Sequence, residues 1–441
     1  MRSIVISSNS SGGGKTTVTL GIMKALMNRG YDVQGYKVGP DYIDPAFHSH
    51  VTVKPSRNLD LFLMGEDGVK ASFTRGINDL DEKQLGVIEG VMGLYDGKGI
   101  TSEFSTAHVA KTLGLPVVLV ISPKAQCATL CAEINGIVNF EDINIVGVIL
   151  NNISESYFNL LKCSIEANCN VVVFGYLPKD ERLNLKSRHL GLVQSGEIED
   201  LDYKISVCSE LVEENVDLDG LIKCFERSNG YEDKFHVDNK GMKIAVAMDN
   251  SFSFYYRENL ELLEELGEVI YFSPLRDSKL PEDIDFLYIG GGYPEVFVKE
   301  LSSNKSMLLS IKNALQNGLR CYAECGGLMY LSEDIGGVST VGFFNGGSYM
   351  TNKLQNFGYA ELTAKEGCTT KDNDLKINCH EFHKSYVKLN EEKKFTLIKN
   401  MYNGNIKNWS CGYIKNNTKA LYAHVHFFGN MEFFKSVILG K

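Results

Sequence analysis

The 441-residue chain carries 45 Lys and Arg against 55 Asp and Glu, a formal net charge of −10, with 44% apolar and 10% aromatic residues. Its length is about twice that of an ordinary domain and predicts two of them. The composition excludes a disordered or fibrous chain, and the negative balance argues against nucleic acid as the main partner. An anionic substrate stays open, because a local site can be basic on an acidic surface.

Eleven cysteines are scattered without a Cys-x-x-Cys pair, the tightest spacings being Cys127/Cys131 and Cys321/Cys325. This predicts reduced thiols in a cytoplasmic protein and no zinc site. Met1-Arg2-Ser3 runs straight into an apolar stretch, so no signal peptide is expected, and no apolar run nears the ~18 residues that cross a bilayer. The expected partners are small molecules, with no membrane; a homodimer is left open.

In chain order, short β-branched runs at 4–7, 33–37, 85–89, 117–121, 145–150 and 171–174 alternate with segments long enough for helices. Such alternation predicts a parallel sheet covered on both faces. A second series follows at 243–248, 269–272, 286–289 and 319–323. The fold class expected is α/β, with two tandem doubly wound domains. Between the two series, residues 197–240 hold 13 acidic and 5 basic residues and read as solvated surface helix and linker. The boundary is placed near residue 235, giving domains 1–235 and 236–441.

After the first run comes Ser8-Asn9-Ser10-Ser11-Gly12-Gly13-Gly14-Lys15-Thr16-Thr17, then an amphipathic stretch through Arg29 that stops at Gly30. Glycines let the backbone curl its amides around a phosphate, the helix N-terminus adds positive potential, and Lys15 reaches the β/γ oxygens. Thr16 is placed to ligate Mg2+. Asn9 stands where the usual phosphate-loop pattern has Gly. The run at 85–89 ends on Glu89, a carboxylate at a strand end that suits a Mg2+ ligand. The run at 145–150 is followed by Asn151 and Asn152, which read equally as an adenine-edge contact or a turn.

Two loops follow on the same sheet edge. Lys37-Val38-Gly39-Pro40-Asp41-Tyr42-Ile43-Asp44-Pro45 succeeds the second run, and Glu89-Gly90-Val91-Met92-Gly93-Leu94-Tyr95-Asp96-Gly97 succeeds the third. Ligands bind at that edge in open α/β sheets. With the Gly-rich loop, these segments resemble the signature of the cobyrinic acid a,c-diamide synthase family, glutamine-dependent amidoligases of cobalamin biosynthesis. The N-terminal half also resembles dethiobiotin synthetase and the deviant-Walker ATPases. The resemblance implies that ATP phosphorylates a substrate carboxylate and that ammonia attacks the acyl phosphate. It implies that Gly12, Gly13, Gly14, Lys15, Thr16, Thr17 and Lys37 hold ATP, and that Thr16 and Glu89 hold Mg2+. Asn151 matches the adenine-reading Asn of the dethiobiotin-synthetase-like fold. Asp41, Asp44 and Asp96 match acidic positions around the reacting carboxylate, with metal, ammonia or intermediate handling left open among them.

In the second half, Leu319-Arg320-Cys321-Tyr322-Ala323-Glu324-Cys325-Gly326-Gly327 reads as strand, tight turn and helix. A cysteine at such an elbow is expected to be exposed, strained and aimed along a helix N-terminus, which favours thiolate. Cys325 takes the elbow, while Cys321 falls inside the strand as a small buried hydrophobe. Upstream, Gly290-Gly291-Gly292 ends another strand and can present N–H groups to an oxyanion. Near the C-terminus, Tyr422-Ala423-His424-Val425-His426 alternates, placing His424 and His426 on one strand face as candidate bases for Cys325. A further cluster, Cys379-His380-Glu381-Phe382-His383, lacks a second metal-ligand pair and reads as interface or substrate-facing.

These features resemble the class I glutamine amidotransferase domain. The resemblance implies Cys325 as nucleophile, His424 as base, and an oxyanion hole from Gly291, Gly292 and Gly326. Many class I relatives carry Glu two residues after the base; here that residue is His426, so a Cys–His dyad is an alternative to a triad. The implied reaction is ATP- and glutamine-dependent amidation of the a and c carboxylates of cobyrinic acid, ammonia passing internally. The rivals are a,c-diamidation of hydrogenobyrinic acid or nickel-sirohydrochlorin, and, in another class, a deviant-Walker ATPase switch. A switch has no use for the elbow cysteine and terminal histidine.

Overall fold

The protein is seen as a computed structural model, which describes residues 1–78, 82–183, 198, 200–364 and 375–440. The chain divides into two compact units: Met1–Leu61 with Glu66–Asp233, and Phe62–Gly65 with Lys234–Lys441. No helix among the described residues is long and apolar enough to cross a membrane.

In the first unit, strands β1 (Arg2–Ser8), β2 (Asp32–Val38), β3 (Arg57–Leu59), β4 (Gln84–Glu89), β5 (Val117–Ile121), β6 (Ile145–Ile153) and β7 (Val172–Pro178) pair in parallel, in the order β3-β2-β4-β1-β5-β6-β7. A two-residue strand, Glu226–Arg227, adds antiparallel to the start of β1. The central strands are continuous apolar runs because helices cover both faces. With β1 in the middle, the loop after it opens on the carboxyl edge, flanked by β4 and β5. The register sets Glu89 beside Ile6 and Lys37 beside Glu89.

Helix α1 (Lys15–Asn28) follows β1, and α2 (Ile43–Thr52) follows β2. The acidic segment departs from the linker reading. Helix α3 (Leu201–Asn215) buries Leu201, Ile205, Cys208 and Val212 in the same core as Ile22 and Leu26 of α1. Its apolar residues recur at helical spacing while Glu210, Glu213 and Glu214 face solvent; the charge count hid that stripe. A Cβ on Gly21 would lie 2.6 Å from Cys208 Sγ and 2.8 Å from a Val212 methyl, so a glycine there lets the helices close. Residues 197 and 199 of the segment lie outside the described residues.

In the second unit, β8 (Met242–Ala247), β9 (Gly267–Phe272), β10 (Phe286–Ile289) and β11 (Arg320–Glu324) are joined by β12 (Gly346–Ala364), β13 (Lys376–Leu389), β14 (Lys393–Asn400), β15 (Ile406–Lys415), β16 (Thr418–Leu421) and β17 (His424–Val425). The order β9-β8-β10-β11-β16 is parallel. Beyond β16 the sheet turns antiparallel through β15, β14 and β12, and β13 pairs both β12 and β17. This antiparallel ribbon lies outside the series read from the sequence. It supplies the strand that lies along the cysteine elbow.

Candidate active site

The loop after β1 reaches α1 through Gly12 and Gly14, whose φ of 76° and 86° favour glycine. Gly14 is also crowded: a Cβ would lie 2.0 Å from Asn151 Nδ2. Asn151, near the C-terminal end of β6, donates to Gly13 O at 3.3 Å and to Ser122 Oγ at 3.1 Å, so here its amide braces the loop. Lys15 is buried and donates to Ser10 O at 3.1 Å and Met92 O at 2.5 Å. Burial and the nearby Lys37 charge pull its ammonium down to about 8. Thr17 follows in the first turn, its carbonyl accepting from Cys208 Sγ. Asn9 does not curl the loop as Gly would; its amide donates to Glu133 Oε1 at 2.6 Å.

Beside the loop sits a buried charge cluster. Thr16 Oγ1 donates to Glu89 Oε1 at 2.7 Å, Lys37 Nζ reaches that same oxygen at 3.1 Å, and His48 Nε2 meets Glu89 Oε2 at 2.7 Å. Lys37 also pairs with Asp44 Oδ2 at 2.5 Å. Glu89 is fully buried. Burial would raise its carboxyl, but Lys37, His48 and Thr16 outweigh that and hold it below the carboxylate range. Burial and then the Glu89 charge push Asp44 the other way, against the pull of Lys37. Lys37 itself stays charged, since Asp44 and Glu89 overcome its desolvation.

The two acidic loops hold their aspartates locally. Asp41 Oδ1 accepts from Ile43 N at 2.8 Å and Asp44 N at 3.3 Å, starting α2, and Asn58 pins the loop through Gly39 O and Asp41 O. Asp96 Oδ2 accepts from Gly93 N at 2.8 Å, and Leu94 N donates to Ser8 O, drawing that loop over the phosphate loop. Sequence reasoning missed His48. Its only signal was a histidine on the apolar face of a helix beside Phe47.

In the second unit Cys325 stands between β11 and the short helix Gly326–Leu331, with φ 48° and ψ −102°, a strained conformation for a residue bearing a Cβ. The strain agrees with the elbow expectation, but exposure does not. Cys325 is buried, and burial, with the charges of Glu295 and Glu381, pushes its thiol above the usual range. A single short helical turn does not offset that desolvation. Cys321 lies buried within β11.

Gly291 and Gly292 follow β10 and pair antiparallel with Phe254 and Phe252. A Cβ on Gly291 would lie 2.5 Å from His424 Cε1, and one on Gly326 would lie 3.1 Å from Gly292 N. Glycines thus bring the loop, the elbow and His424 together. His424 Nδ1 lies 3.5 Å from Glu324 Oε2, and the ring stacks on His380 with centroids 5.1 Å apart. Burial, with the His424 charge, holds His380 well below the histidine range.

His424 and His426 do not share a strand face. The extended run ends at Val425, and His426 caps a 3-10 turn, its Nδ1 accepting from Phe428 N while Nε2 lies 3.3 Å from Glu258. Buried Asn259 clamps this stretch, donating to Val425 O at 2.9 Å and accepting from Phe427 N at 2.8 Å. Glu324 is the second residue sequence reasoning missed; it adjoins the elbow in plain view, but only the fold turns it toward His424.

Residues 4–193 match the CobQ/CobB/MinD/ParA nucleotide binding domain family, and residues 243–432 match the CobB/CobQ-like glutamine amidotransferase domain family. The chain is 67% identical to cobyrinate a,c-diamide synthase of Clostridium tetani, over 99% of this chain and 100% of that protein. It is 65% identical to cobyrinate a,c-diamide synthase of Clostridium acetobutylicum, over 99% and 100% respectively. Among solved structures, that of PurLQS from Thermotoga maritima aligns over 45% of this chain and 99% of its own, with a TM-score of 0.34 and 16% identity. A nucleotide-binding domain joined to a glutamine amidotransferase domain defines the class: a glutamine-hydrolysing carbon–nitrogen ligase. Full-length identity narrows the class. The chain belongs to the cobyrinate a,c-diamide synthase family.

Proposed function

We propose that this chain amidates the a and c carboxylates of cobyrinic acid, consuming ATP and glutamine and passing through acyl phosphates. The observation that carries the synthetase half is the buried Lys37–Glu89–Thr16 contact at the mouth of the phosphate loop. Phosphoryl transfer to a carboxylate brings anions together, and its main demand is fixed positive charge rather than a protein nucleophile. Lys15 and Lys37 supply that charge, Gly12, Gly13, Gly14 and Thr17 shape the loop for phosphates, and Asn151 is assigned to the adenine side. Thr16 Oγ1 and the Glu89 carboxylate form the hard-oxygen pair that suits Mg2+ when phosphates and waters complete the shell. They would hold the ion, which supplies charge neutralisation of the phosphates. Asp41, Asp44 and Asp96 are assigned to metal, ammonia or intermediate handling, with Asp44 nearest to Lys37.

In the second unit, His424 takes the Cys325 thiol proton, and the sulfur attacks the glutamine amide carbon. Backbone N–H groups of Gly291, Gly292 and Gly326 face the developing oxyanion. The C–N bond breaks with protonation of the departing nitrogen, and water then hydrolyses the thioester to glutamate. Glu324 orients His424. The ammonia is the nucleophile of the synthetase reaction. Free cysteines and the use of ATP fit a cytoplasmic location.

Mass spectrometry of products from purified protein, ATP, glutamine and each candidate tetrapyrrole tests the substrate. Two successive amidations of cobyrinic acid are expected. Amidation of hydrogenobyrinic acid or nickel-sirohydrochlorin alone would replace that assignment. Carboxylate labelled with 18O should pass label to inorganic phosphate; unlabelled phosphate would exclude the acyl phosphate.

A further inference from the structure

One buried acid takes no part in the chemistry described above. Glu381 on β13 is 1% exposed, and its Oε1 has no hydrogen-bond partner among the described residues. Its Oε2 has one long contact, to His383 Nε2 at 3.4 Å, and His383 donates its other nitrogen to Ser385 O at 2.8 Å. A buried carboxylate oxygen left bare is costly, and a cationic donor supplied by a ligand would satisfy it.

The strand face bearing Glu381, His383 and Ser385 lies over the cysteine elbow. His383 stacks flat on Tyr422, with centroids 3.9 Å apart, two residues before His424. Ser385 Oγ donates to Met329 Sδ at 3.3 Å, Met329 N donates to Cys325 O, and Cys325 N donates to Leu421 O. The adjoining His380 pairs in register with His424. The charge of Glu381 is felt at the Cys325 sulfur, where it opposes thiolate formation. A ligand cation that neutralised Glu381 would therefore also ease ionisation of the nucleophile.

Resting on the reading of Cys325 as a glutaminase nucleophile, we propose that Glu381 binds the α-ammonium group of glutamine. An ammonium brings three N–H donors and a positive charge to a bare carboxylate oxygen that is shielded from bulk water. Glutamine carries that group a short carbon chain away from the amide that Cys325 attacks. Glutamine lacking its amine would leave Glu381 buried and unpaired.

The test compares hydrolysis of L-glutamine and glutaramate, its analogue without the α-amine, by wild type, Glu381→Gln and Cys325→Ala. Wild type is expected to favour glutamine by about 10–100-fold in kcat/KM, and Glu381→Gln to lose that preference, mainly through KM for glutamine. Equal rates on both substrates by wild type overturn the proposal whether or not the variant folds. An unchanged preference in a folded Glu381→Gln does the same, including the case in which ammonium chloride inhibits wild type alone and the pocket serves released ammonium. Glutamine hydrolysis that survives Cys325→Ala overturns the underlying reading instead.

Discussion

The Nδ1 atom of His424 lies 3.5 Å from Oε2 of Glu324, the residue immediately before the elbow cysteine. The carboxylate is buried, so its charge acts in a medium that screens it little. The proposed nucleophile, Cys325, and the acid that faces the proposed base are thus neighbours in sequence. Glu324→Gln keeps the shape and removes the carboxylate that faces His424. Glutaminase kcat should fall on the order of 100-fold or more with KM for glutamine nearly unchanged, by analogy with removing the acid of a triad. A variant with wild-type kcat across the pH profile would make Cys325–His424 a dyad.

The proposed contact of Lys15 with the ATP phosphates would make nucleotide binding depend on pH. With its ammonium pulled down to about 8, the free protein holds this charge below that value and loses it as pH rises through it. ATP affinity, followed by calorimetry, should weaken between pH 7 and pH 9. Lys15→Arg, charged throughout, should flatten that profile, and an equally steep slope in the variant would count against the assignment. Lys15→Ala should stop amidation from either glutamine or ammonium salts.

Lys37 balances two buried acids, Glu89 and Asp44. Lys37→Met fills similar space without charge and leaves both carboxylates less compensated. Removing one partner of a buried ion pair costs about 3–5 kcal/mol, so the urea midpoint of the first unit should drop clearly. A loss under about 1 kcal/mol would mean that His48 and Thr16 satisfy Glu89 without the lysine.

Local order explains which of these features could be read from the sequence. The phosphate loop and the Cys325 elbow are each strand, turn and helix within a dozen or so residues, and Lys37 and Glu89 end strands whose apolar runs are plain. Thr16, Lys37 and Glu89 meet because β2, β4 and β1 are neighbours, a consequence of a parallel sheet with the loop at its centre. His48 and Glu324 act across helix–strand and strand–strand packing, which local periodicity does not encode. The apolar stripe of α3 was present in the sequence, but the acid count drew the reading toward a linker. The burial of Cys325 was the least legible feature, because β13 covers the elbow and joins it only through long-range pairing.

That burial carries its own consequence for reactivity. The resting Cys325 thiol is held neutral by desolvation and by the charges of Glu295 and Glu381. Iodoacetamide should therefore label it slowly at pH 7.5, with a rate that keeps rising toward pH 10 instead of reaching a plateau near neutrality, as a thiolate at an exposed helix N-terminus would. Peptide mass spectrometry distinguishes it from exposed Cys163, which should label first. Saturation near pH 7 would show that His424 already holds the proton in the resting state. Cys325→Ala should abolish glutamine-dependent amidation while ammonium salts still support product formation, since the synthetase needs ammonia and not the thiol. Loss of both activities in a folded variant would mean that Cys325 serves the synthetase as well, and the division of labour between the two units would fail.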